Sequence, residues 1–210
     1  MIRHPLTLLL LAAVAGCSSQ PKGTVLPPAN LGADHFQKTA VETTKNSQSN
    51  VEFNTEKGFE EPHRSNAEFH AVYLLASLNR TNGKVGYGVD VMNATKRARK
   101  IALVNYESPE GWMEQKIRVV NGRRHCSDQD DCWNFESVSI PLSEQLVQHY
   151  AKRYVPGQSL TWKYKILPDA QGEIALAEMA GLFARVEEAK AQLAQRQGQS
   201  PAMIHPEPTP

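Results

Sequence analysis

An excess of charge of either sign is what this chain most plainly lacks. Its 23 Lys and Arg stand against 22 Asp and Glu, a formal net charge of +1. A nucleic-acid-binding domain normally declares itself as a basic domain or stripe, so no nucleic-acid partner is expected. Cysteine is scarce, with three in 210 residues, which excludes a disulfide-dense scaffold. Long apolar runs are missing too. The longest stretch, from Leu6 to Ala15 with Thr7 inside it, falls short of the roughly 20 residues that cross a bilayer as a helix. Catalytic signatures are also absent. The seven histidines are dispersed without an HExxH pair, and there is neither a Gly-x-Ser-x-Gly elbow nor a P-loop. No enzyme and no cofactor are expected from this inventory.

The start of the chain is its most informative stretch. Arg3 and His4 precede the short apolar run, and the small residues Ala15 and Gly16 lead to Cys17, Ser18 and Ser19. Length and polar flanks match the apolar region of a secretory signal peptide. The ending Val14-Ala15-Gly16-Cys17 resembles the lipobox of bacterial lipoproteins, a resemblance confined to residues 1 to about 19. It implies that residues 1–16 are a signal peptide, that the Cys17 thiol is diacylated (as with palmitate) and that Cys17 becomes the first mature residue. It also implies a membrane partner, through the lipid. Two or more acyl chains, at about 0.8 kcal/mol per buried methylene, give durable anchoring. Ser18 rather than Asp after the cysteine favours the outer membrane, facing the periplasm, in a Gram-negative cell.

Without residues 1–16 the chain has 194 residues and 22 charges of each sign, because Arg3 is the one charge removed. Cys126 and Cys132 remain, and in an exported chain such a pair is most simply a disulfide. Residues 17–65 read as the lipidated cysteine and a flexible polar tether. Their apolar residues are scattered and too few to offset the entropy of ordering, although short ordered pieces around Phe36 or Phe53 are compatible with the pattern. Residues 66–197 read as a single globular domain, and 198–210, ending Pro-Glu-Pro-Thr-Pro, as a disordered tail.

Within the domain, residues 68–78 allow two readings. Ser65-Asn66-Ala67-Glu68 matches a helix capping box, but Asn82-Gly83 and the alternating run from Val85 to Val91 argue for a β-hairpin, which is preferred. Further strands are expected at 100–106, 112–120, 133–140 and 160–166, with 173–176 as a possible extension. Leu160, Trp162, Tyr164 and Ile166 alternate cleanly with Thr161, Lys163 and Lys165. A helix should start after the N-cap Ser143, with Leu146, Val147, Tyr150 and Tyr154 on one face and Pro156-Gly157 as its stop. A second helix over about 177–196 packs through its first half, to Val186, and projects beyond. The expected class is α+β: a mainly antiparallel sheet of about six or seven strands with two helices, one of them C-terminal.

Three groups of residues invite a chemical reading. His125, Cys126 and Cys132 with a carboxylate would suit zinc, and Asp128, Asp130 and Asp131 would suit calcium. The spacing matches neither a zinc knuckle nor an EF-hand, so a disulfide-closed loop is preferred and no metal is expected. The basic clusters Lys96 to Lys100 and Arg118 to Arg124 would meet lipid headgroups or an anionic envelope polymer, or would simply guard a strand edge. Acidic pairs such as Glu60-Glu61 and Glu187-Glu188 read as surface charge. The expected function is therefore a membrane-anchored, non-enzymatic envelope lipoprotein that binds or scaffolds another envelope component, protein or polymer. The alternative is a small-molecule or metal-binding carrier or sensor, for which the 125–132 loop and Trp112, Trp133 and Trp162 would serve.

Overall fold

The computed structural model describes residues 31–43, 49–55, 71–95, 97–126, 132–167 and 170–198. Cys17, Asp128, Asp130, Asp131, Lys96, the Glu60-Glu61 pair and the C-terminal tail lie outside the described residues. The elements in chain order are α1 (Ala33–Thr39), β1 (Val41–Thr43), β2 (Asn50–Asn54), β3 (Ala71–Asn79), β4 (Val85–Thr95), β5 (Ile101–Ser108), β6 (Gly111–Cys126), β7 (Cys132–Leu142), α2 (Glu144–Lys152), β8 (Thr161–Leu167), β9 (Ala170–Ala175) and α3 (Leu176–Gly198). The strands form one antiparallel sheet in the order β1-β2-β3-β4-β7-β6-β5-β8-β9.

β6 joins two ladders. Its first half, from Gly111 to Arg118, pairs with β5. Its second half, from Val119 to Cys126, pairs with β7, with a register shift between Asn121 and Arg124. The β5–β6 hairpin turns through Pro109 and Glu110, with Ser108 opposite Gly111. Gly111 has φ +121°, a conformation open to glycine and strained for other residues. Ser108 Oγ accepts the Glu110 N–H at 3.2 Å and closes the turn.

One face of the sheet carries the core. Phe53, Leu74, Val89, Ile140, Val104, Trp162 and Ile166 are fully buried on it, together with Met179, Leu182 and Val186 of α3. α1 lies against α3, where Gly181 allows a close crossing: a Cβ there would stand 2.5 Å from the Phe36 Cβ and from the Ala33 carbonyl oxygen. α2 starts where its sequence indicates but ends at Lys152, so Tyr154, expected on its face, lies beyond it. Ser143 Oγ accepts the Leu146 N–H at 3.1 Å, and Leu146, Val147 and Tyr150 are buried.

The expected strand count of six or seven is too low, and the two expected helices are three. The seven sequence-derived strand positions are all occupied; the additions are β1, β2 and α1, which lie in the stretch read as tether. Phe36 and Phe53 are both fully buried. The globular unit therefore includes α1, β1 and β2, which precede residue 66. These segments have one or two apolar residues each, too few for a detectable period. They are ordered by pairing with the β3 edge and by packing on α3. The hairpin reading of 71–95 is correct, with Leu78 opposite Val85. α3 also packs further than Val186, because Lys190 Nζ reaches Glu144 of α2 at 3.1 Å.

Candidate functional site

Cys126 and Cys132 are directly opposite each other at the end of the β6–β7 ladder and form a disulfide. Both sulfurs are thereby removed from the thiolate state that zinc ligation requires. His125 is exposed and opposite Trp133 in the register. Among the described residues no group of three or more His, Cys, Asp or Glu is placed to hold a metal ion.

The other sequence candidates scatter. Trp162 is fully buried, its indole N–H donating to the Glu107 carbonyl at 2.8 Å. Trp133 is half-buried. Arg99 is tied to the buried Glu136: its backbone N–H and Nε donate to the two carboxylate oxygens at 2.6 and 2.8 Å. This pins the β4–β5 connection to β7 and leaves Arg99 a structural cation. Glu187 and Glu188 pair with Lys190 and Arg185 on the surface of α3, so both acids are accounted for as helix-face charge.

The strongest surface signals lie on the sheet face opposite the helices, over β5, β6, β8 and β9. Register places Lys116, Leu103 and Leu167 in one row, and Arg118 and Ile101 in the next. Ile101 is 63% exposed and Val120 64%. Neither Lys116 nor Arg118 makes an ion pair among the described residues. The acids of this face, Glu107, Glu114 and Glu173, begin at the row of Glu114 and Asn105 and lie toward the opposite end. The result is an apolar patch framed by cations, with no acid in its rows among the described residues. Singly exposed apolar residues are ordinary, whereas clustered ones mark contact surfaces.

At the acidic end of the same face a cleft of about 490 Å³ opens between the β5–β6 turn and the connection from α2 to β8. Its floor is the buried Tyr150 and Leu176. Trp112, 52% exposed, forms one wall and the half-open Leu160 lies across from it. The Lys165 ammonium sits 5.1 Å from the centre of the Trp112 ring. Arg153 and Lys163 line the cleft with Glu107, and the Arg153 guanidinium stands 5.6 Å from the centre of the Tyr150 ring. Burial, chiefly, raises the Tyr150 phenol above its ordinary pKa, so its oxygen stays protonated at neutral pH. Sequence reading singled out Trp112 alone here. A lone cation at a helix end, such as Arg153, or in an alternating strand, such as Lys163, carries no ligand signal of its own.

A second feature missed from sequence is the pair of Glu178, in the first turn of α3, and Thr55, just after β2. The Thr55 hydroxyl donates to Glu178 Oε1 at 2.5 Å, and both residues are buried. Burial pushes the Glu178 carboxyl up to about 7, partly offset by hydrogen bonds from Thr55 and the backbone of Leu74. An acid inside the dense apolar stretch 176–186 was the available signal. Tyr73 donates to Asp90 at 3.0 Å on the opposite face, and burial together with that carboxylate pushes its phenol up to about 12. No protein family, no curated protein and no solved structure matches the chain.

Proposed function

We propose that the chain is a lipid-anchored envelope protein, held at the membrane through Cys17, whose domain binds or scaffolds another envelope component and performs no chemistry of its own. The observation that carries the binding half of this reading is the patch of Ile101, Leu103, Val120 and Leu167 framed by Lys116 and Arg118. Such a surface suits a partner with an anionic rim and an apolar centre, whether protein or polymer. The lipobox resemblance at residues 14–17 supports the anchoring half.

Two measurements test it. Cells fed a labelled fatty acid should label the parent protein, and Cys17→Ser should abolish the label. A photo-crosslinking residue at Ile101 or Val120 of the full chain should capture a reproducible partner in intact cells, whereas the same residue at Gln192, exposed on α3, should not. Equal capture from both faces, or none from either, counts against the binding surface. A small-molecule carrier or sensor is the second reading, favoured by the cleft at Trp112.

A further inference from the structure

From the geometry of that cleft we infer that it is a binding site for a saccharide carrying one carboxylate. The site is separate from the cationic patch, and the inference stands whether or not Cys17 carries lipid. Size comes first: about 490 Å³ lies within the usual range of small-molecule sites and accommodates a sugar ring with substituents. The Trp112 indole offers a flat apolar surface at the mouth, and its amphipathic ring suits a ligand that is apolar on one face and hydroxylated at its edge. The Lys165 ammonium stands 5.1 Å from the centre of that ring.

Charge sets the ligand's sign. Arg153 and Lys163 make no ion pair among the described residues. With Lys165 over Trp112, and against Glu107 in the lining, Glu110 on Ser108 and Glu173 on Thr161, they leave the site close to neutral overall, so a single carboxylate at the Arg153 guanidinium is favoured over a phosphate dianion. A guanidinium also matches a carboxylate in a planar, two-bonded geometry. The Glu107 carboxylate and the Ser159 hydroxyl, which also lines the cleft, are partners for sugar hydroxyls and ill-suited to an acyl chain. The frame is built in advance. The Trp162 N–H holds the Glu107 carbonyl at 2.8 Å, and the Leu176 N–H holds the Leu160 carbonyl at 2.9 Å. Little ordering cost then remains for binding.

The test titrates the full mature chain with glucuronic acid, N-acetylmuramic acid, glucose and inorganic phosphate, read by calorimetry and tryptophan fluorescence. Trp162 lies beneath the cleft, bonded to the Glu107 carbonyl, so the response that Trp112→Ala removes is the one assigned to Trp112. The expected result is saturable binding of an acidic sugar, about tenfold tighter than of glucose, the scale of one charge-assisted contact. The double variant Arg153→Gln, Lys163→Gln should bring acidic and neutral sugars level, and Trp112→Ala should weaken both. These side chains are outside the core, so an unchanged unfolding midpoint accompanies each change. No saturable binding of either acid by the parent protein overturns the proposal. So does equal binding of acid and glucose, or phosphate binding as tightly as the sugars.

Discussion

At the scale of single residues, Glu178 and Gly181 show how α3 is seated. The ordinary glutamate pKa of 4.5 is raised to about 7 by burial. An acid that titrates higher in the folded than in the unfolded chain makes its full stabilising contribution below about pH 4.5 and loses it as pH rises through 7. The swing is about 3 kcal/mol. Chemical denaturation should therefore find Glu178→Gln less pH-dependent than the parent between these limits, and at least as stable at pH above 7. Gly181→Ala gains about 1 kcal/mol in helix propensity. The new methyl meets α1 backbone as well as the Phe36 Cβ, at 2.5 Å, and overpacking of this kind costs about 1–3 kcal/mol. Because backbone yields less readily than a side-chain tip, the clash wins, and a net loss of about 1–2 kcal/mol is expected in equilibrium unfolding.

At the scale of elements, the β6–β7 ladder is closed at its end by Cys126–Cys132, a sequence separation of 6. A loop so short constrains the unfolded chain modestly. Replacing both cysteines by serine should cost about 2 kcal/mol on the chain-entropy model, and hydrogen exchange should rise first near His125 and Trp133. β7 is also held by Glu136–Arg99 and by its pairing with β4 from Asn134 to Leu142, so β7 should stay protected from Glu136 to Leu142. α2 depends on its cap. Ser143→Ala removes the acceptor for the Leu146 N–H and should lower stability by about 1 kcal/mol, visible as a lower denaturation midpoint with an unchanged slope.

At the scale of the whole molecule, the sheet requires its first strands. A chain starting at residue 66 would lose Phe36, Val51 and Phe53, all buried. At about 2 kcal/mol for each such side chain, the loss rivals a total stability of about 5–15 kcal/mol. That chain should show no cooperative unfolding by circular dichroism, whereas one starting at residue 31 should unfold in a single transition. The result would place the beginning of the folding unit independently of any reading of composition.

Local chemistry determined much on its own. Strict alternation from Leu160 to Ile166, the Asn82-Gly83 and Ser108-to-Gly111 turns and the Ser143 cap act over a few residues, and each element formed where its pattern stands. The pairing of Cys126 with Cys132 follows from their being the two cysteines of one hairpin. β1, β2 and α1 carry no such pattern, because their order comes from β3 and α3, more than a dozen residues away in sequence. The Trp112 cleft likewise needs the end of α2 and the start of β8 beside the β5–β6 turn. A buried Glu178 needs Thr55 from the far side of the chain. Periodicity records which face a residue belongs to; only tertiary packing decides which faces meet, and the Trp112 cleft is built where distant segments meet.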